Sequence, residues 1–159
     1  MSNPSAAELR ALTAMDEAGV AYRRVAHGPV RSVKEAAEAR GVEVRDVVKT
    51  LVVRRADDDY LFVLVPGDRD ISWPKLRALL GVSRISLPDA DTAREATGYE
   101  RGTITPFGSA RPWAVVADQA IVGREVALGA GAHGVAVLLQ AEDIITAFDA
   151  VVADVTEVQ

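Results

Sequence analysis

Cysteine is absent from the 159 residues. That excludes disulfides, Cys-based zinc sites and a cysteine nucleophile, and it fits a cytoplasmic location. Histidine is scarce: His27 and His133 are the whole supply. Two are too few for a His-rich metal site, so neither a metal nor a cofactor is expected. No apolar run approaches the ~20 residues of a membrane helix, so no membrane partner is expected. The opening MSNPSAAELRAL lacks the basic-then-apolar order of a secretory signal. Positive charge is not in excess either. A formal net charge of −5 argues against a DNA-coating protein, while leaving room for a local basic patch that meets a short piece of nucleic acid.

What is present reads as an ordinary globular chain. The hydrophobic share of 49% and charged share of 26% suit one domain spanning residues 1–159, large enough to bury a core. Ser5 with Glu8 forms a capping-box pattern, and Leu9, Leu12 and Met15 follow at helical spacing, predicting a helix over 5–18 that Gly19 ends. VAYRRVAH reads as a strand entering the turn HGP. Ser32 with Glu35 opens a second helix, VKEAAEAR, closed by Gly41. VKTLVVRR and YLFVLVPG read as a hairpin around ADDD. Asp57, Asp58 and Asp59 are then solvated loop residues, and Asp68 and Asp70 in GDRD are turn residues.

Ser72 caps a helix carrying Leu76, Leu79 and Leu80, and RISL is a short strand. A helix opened by Asp89 or Asp91 runs to Gly98. PWAVVAD, EVALGA and GVAVLLQ are three further strands, followed by a helix over 143–148. The tail, 150–159, adds a strand or frays. Strands and short helices alternate irregularly. That order predicts an α+β fold, a mixed β-sheet with helices packed around it, and not a doubly wound parallel sheet.

Three stretches depart from what a plain core needs. Lys49 stands inside the apolar run VVKTLVV, where an ammonium is costly unless it is paired, put to use or able to snorkel along its stem. GYERGTITPFG, residues 98–108, holds three glycines and a proline, a composition that shapes backbone and admits a ligand close to main-chain N–H groups. GAGAHG, residues 129–134, sits between two strands and carries a histidine. Each also has a plain reading: a snorkelling lysine, two turn-forming loops, a solvated histidine. The templates of a nucleophile elbow, an HExxH metalloprotease and a Walker loop are all missing. An enzyme built from these parts would use backbone N–H groups, one lysine and one histidine, which suits hydrolysis of an activated ester.

From Tyr22 to Phe148 the chain resembles the YbaK/prolyl-tRNA-synthetase-associated domain family of aminoacyl-tRNA deacylases. The resemblance rests on HGPV and its capped helix, DVVKTLVV, GYERGTITPFG, WAVVAD, the GAGAH loop and AEDI, in that order. It implies trans-editing: hydrolysis of the ester joining a wrong amino acid to the terminal adenosine of a tRNA, with cysteine or alanine on tRNA(Pro) the leading cases. It implies that Lys49 holds a phosphate or the ester, and that Gly102, opening GTITP, offers an oxyanion donor. It implies that His133 shapes the pocket or positions water.

Thr50 matches the cysteine-clearing branch, whereas the GAGAH histidine matches the alanine-clearing one. Thr103, Pro106, Phe107, Gly108, Gly129 and Gly131 become candidate substrate-binding residues. His27, which reads first as a turn residue, joins them as a candidate for the pocket wall. The partners implied are a tRNA acceptor end, met by a basic rim of Arg31, Lys34, Lys49, Arg54 and Arg55, and a synthetase. The protein itself would be a monomer or homodimer. Two alternatives stay open: a non-catalytic module binding tRNA ends or a synthetase, and a small-molecule binder.

Overall fold

The computed structural model describes residues 4–159. Helix α1 spans Ala6–Glu17, with the Ser5 side chain accepting from the Glu8 N–H at 3.1 Å. Its buried face is Glu8, Ala11 and Met15, whereas Leu9 is 51% exposed. The expected Leu9–Leu12–Met15 stripe is therefore rotated. The reason is an ion pair: Arg24 donates to the buried Glu8 carboxylate at 2.6 Å and pulls that side of the helix onto the sheet.

Strand β1 (Tyr22–Ala26) leads through the HGP turn to α2 (Val33–Arg40), capped by Ser32 and ended by Gly41 in the left-handed conformation. The hairpin follows as β2 (Val48–Ala56) and β3 (Asp59–Pro66). Its turn falls on Asp57 and Asp58, the latter at φ 56°, which aspartate tolerates. Asp59 belongs to the strand. β3 is buried on both faces: Phe62 and Leu64 enter the larger core cluster, while Leu61, Val63 and Val65 enter a smaller one.

GDRD is not a plain turn, because Arg69–Ile71 forms strand β4. α3 (Trp73–Leu80) and α4 (Ala90–Thr97) follow, capped by Ser72 and Asp89. RISL does not form a strand; only Ser86 pairs, in a single bridge to Arg54. Pro88, two residues on, lacks the N–H that would extend the pairing. β5 (Ala114–Asp118), β6 (Glu125–Gly129), β7 (Val135–Gln140) and α5 (Ala141–Phe148) complete the body. The tail holds two strands, β8 (Val151–Ala153) and β9 (Thr156–Val158).

The strands form an antiparallel sheet β1-β7-β6, a mixed sheet β2-β3-β5-β8 and a β4-β9 pair. β2 runs antiparallel to β3, while β3–β5 and β5–β8 are parallel. The fold is α+β, as its irregular element order predicted.

Candidate functional site

β2 is the edge strand of its sheet, and its free edge is closed at both ends only. At the start, Val47 bridges Ala127 of β6; at the end, Arg54 and Ser86 exchange two backbone hydrogen bonds of 2.7 and 3.1 Å. Arg54 therefore turns its N–H and C=O away from β3. Because antiparallel pairs alternate, Val52, Thr50 and Val48 do the same. The pairing of Val48 with Pro66 agrees, since proline has no N–H to give there. Between the two seals, the outward backbone groups of Thr50 and Val52 face a cavity of about 420 Å3. Its lining includes six consecutive residues, Val47 to Val52, as an open strand edge requires.

The other walls come from α2, the segment Leu87–Ala90, the 101–104 loop and Gly129. Cationic residues in this lining are Arg31, Arg40, Lys49 and Arg101, of which Lys49 carries its ammonium away to the other face of β2; no carboxylate or histidine lines it. The site is thus electropositive within an acidic protein, and burial pulls the Arg40 guanidinium below its ordinary value. Arg40 donates to His27 Nε2 at 3.4 Å. Since arginine can only donate, the His27 proton sits on Nδ1, which donates to the Gly28 carbonyl at 2.7 Å. His27 stands behind the wall and supports Arg40; it does not line the cavity.

Lys49 and Thr50 diverge. Lys49 alternates with Leu51 and Val53, which belong to the smaller cluster, and its ammonium donates to the Arg69 carbonyl at 2.7 Å, with the Asp70 carboxylate at 3.7 Å. Thr50 is turned to the cavity face, and its buried hydroxyl has no hydrogen-bond partner. Gly102 lines the cavity at φ 89°, and its N–H donates to no backbone carbonyl among the described residues. His133 lies just beyond: a Cβ added to Gly102 would stand 3.7 Å from its Cε1. The His133 Nε2 is 3.3 Å from the Glu100 carboxylate, and both side chains are exposed.

Other candidates shape the wall from behind. Thr103 is buried, its hydroxyl donating to the Glu100 carbonyl at 2.7 Å while its own carbonyl accepts from Gly131 N–H at 2.9 Å. Gly129 lines the cavity so closely to this loop that an added Cβ would sit 3.1 Å from the Ile104 carbonyl. Pro106, Phe107, Gly108 and Gly131 are outside the cavity lining. Phe107 packs edge-on against Phe148, and the buried Tyr99 hydroxyl donates to the Phe107 carbonyl at 2.7 Å. Arg10 clamps the Gly98 and Gly108 carbonyls at 2.8 Å each. At Gly108 and Gly131 a Cβ would come within 2.9 Å of Tyr99 and of the α1 backbone. These glycines admit α1 to the loops.

The anticipated rim divides. Arg31 and Lys49 line the cavity, whereas Arg54 and Arg55 line a separate groove and Lys34 lies beside Glu38, Glu43 and Asp68. Arg40 and Arg101 take their place, and sequence reasoning missed both. Arg40 reads as an ordinary last-turn cation of α2, so nothing local marks it. Among the described residues no cluster of His, Cys, Asp or Glu could hold a metal ion, and no helix is long and apolar enough to cross a membrane. Chemically, the cavity offers outward backbone groups and positive charge, with the unpaired Thr50 hydroxyl buried in its wall, a setting for a polar ligand with an anionic part.

The model of the aminoacyl-tRNA editing domain matches residues 27–147. A proline–tRNA ligase of Thermosipho africanus (strain TCF52B) is 35% identical over 106 residues, covering 67% of this chain and 18% of the ligase. One of Thermosipho melanesiensis is 36% identical over 100 residues, covering 62% and 17%. The chain thus spans less than a fifth of the length of these curated relatives. Among solved structures, a proposed trans-editing enzyme for prolyl tRNA synthetase superposes with a TM-score of 0.90 at 26% identity, covering 98% of this chain and 99% of that one. The hypothetical protein APE2540 gives 0.85 at 29% identity, covering 93% and 99%.

Proposed function

The chain belongs to the family of aminoacyl-tRNA editing domains, and on that premise we propose that it is a trans-acting deacylase. It hydrolyses the ester of a mischarged tRNA, with tRNA(Pro) carrying a small amino acid such as cysteine or alanine as the leading substrate. The observation that carries this reading is the juxtaposition of Thr50, with an unpaired buried hydroxyl, and Gly102, with a free N–H, across one electropositive cavity. The amino acid sits along the β2 edge, while Arg31, Arg40 and Arg101 face the nucleotide phosphate. Water adds to the ester carbonyl, and the Gly102 N–H stabilises the oxyanion of the tetrahedral intermediate. Collapse expels the ribose hydroxyl, with the proton from water passing to that leaving oxygen. Since no carboxylate or histidine lines the cavity, the neighbouring ribose hydroxyl relays the proton, and His133 orders water at the rim.

One observation favours the alternative of a non-catalytic module that binds tRNA ends or a synthetase: the Lys49 ammonium is already engaged by Arg69 and Asp70. A deacylation time course on Cys-, Ala- and Pro-tRNA(Pro) decides between them. Selective hydrolysis of one mischarged species supports the deacylase. Spontaneous rates throughout, from a folded protein that still binds tRNA, support the module.

A further inference from the structure

Beside the cavity runs a groove lined by Arg54, Arg55, Arg77 and Arg84, with Asp57 the one carboxylate in its lining. Arg54 pairs with Asp57, and Arg55 makes two bonds of 3.1 Å to Asp59. Arg77 and Arg84 have no ion-pair partner among the described residues. Two of the four guanidinium groups are thus neutralised by their own carboxylates, and the unpaired Arg77 and Arg84 leave the groove net positive on a chain of net charge −5. Arginine's planar fork matches phosphate oxygens bidentately.

Position selects the kind of anion. Ser86 ties the groove to β2 through Arg54, and the next two residues, Leu87 and Pro88, line the cavity. From Thr50 to Arg54 is four residues of strand, about 13 Å at the usual rise. A polymer anchored in the cavity by its end would thus bring its backbone to the groove. We propose that the groove is a second contact site for the phosphodiester backbone of the RNA acceptor arm, with Arg77 and Arg84 as the groups that meet phosphate. This rests on the reading that the cavity takes a tRNA end. It adds that part of the affinity comes from outside the cavity, through the two unpaired arginines of the groove.

The test is a binding titration with an uncharged RNA hairpin that reproduces the acceptor arm and its single-stranded 3′ end, at several salt concentrations. The proteins are the unsubstituted chain, Arg77→Gln/Arg84→Gln and, as a second variant, Arg84→Glu, with thermal melts to confirm folding. The expected result is an affinity loss of about tenfold or more in the double variant. The slope of log affinity against log salt falls by about 2, one for each phosphate that is no longer neutralised. Unchanged affinity and slope overturn the proposal, as does an unsubstituted protein that does not bind the hairpin. Deacylation by the unsubstituted protein is measured in parallel. Hydrolysis with no effect of the variants on RNA binding removes the groove and leaves the deacylase. Weakened RNA binding by the variants, with no hydrolysis by the unsubstituted chain, upholds the groove and removes the deacylase.

Discussion

Lys49 and Thr50 are neighbours in the chain with opposite allegiances: the lysine reaches through one face of β2 to the Arg69 carbonyl at 2.7 Å, while the threonine hydroxyl is buried at the other face without a partner. An unsatisfied buried hydroxyl costs about 1–3 kcal/mol. Thr50→Val is therefore expected to leave stability unchanged or raise it by about 1 kcal/mol. Under the proposed function the same change removes a hydrogen-bonding group from the cavity wall, and kcat/KM for deacylation should fall about tenfold, the equivalent of one neutral hydrogen bond. Urea melts and the deacylation assay read the two effects separately.

Substitution of Lys49 separates its observed bond to Arg69 from a role at the substrate. Lys49→Met is expected to lower stability by about 1 kcal/mol, since the Arg69 carbonyl loses its donor. Because the ammonium is engaged at the opposite face of β2, kcat/KM should stay within about tenfold, and a loss of about a hundredfold would assign the lysine to the substrate. Asp70→Asn keeps the lysine and weakens only a partly exposed ion pair, so activity should stay within about fivefold. Parallel loss in both variants would mean that the lysine acts by anchoring β4.

The glycines are expected to rank by what a methyl group meets. Gly102→Ala adds only the strain of a positive φ, about 1–2 kcal/mol, because its nearest contact is an exposed histidine at 3.7 Å. Gly131→Ala adds to that strain a clash with the Ala7 carbonyl at 2.8 Å. It should cost about 1–3 kcal/mol more, as overpacking does. Denaturant midpoints give the order; equal losses would contradict the α1 docking described above.

Acid stability should follow two aspartates. The Thr92 N–H holds the Asp89 carboxyl below its ordinary value, and Lys75 does the same for Asp154. A depressed folded value contributes stability that is present above the unfolded value and lost as pH falls through the folded one. Stability should thus be level from neutral pH to about pH 5 and decline below about pH 4. Asp89→Asn keeps the helix cap and should flatten part of that decline, measured as denaturant midpoints at several pH values.

Much of this architecture was legible locally. Ser32, Ser72, Asp89, Gly41 and Gly98 cap or close helices where they were expected, because a cap depends on residues three or four apart. Elements made by distant partners were not legible. β4 exists because the tail returns to pair with it, and Leu9 faces solvent because Arg24 claims Glu8 from another strand. The site shows the same division. Thr50, Gly102 and Gly129 reach the cavity, but two of the glycine signals, Gly108 and Gly131, record the close approach of α1. Composition shows that backbone must pass close to something; it does not show whether that is a ligand or a helix.

The two short seals on β2 also bear on how the protein lives with its neighbours. An unpaired strand edge invites the strands of other molecules and is a common starting point for sheet-to-sheet aggregation. With Val47 fastened to Ala127 and Arg54 to Ser86, the exposed stretch is too short to recruit a second chain in register, and it lies between cationic side chains. An edge left open for a small guest is thereby closed to a large one.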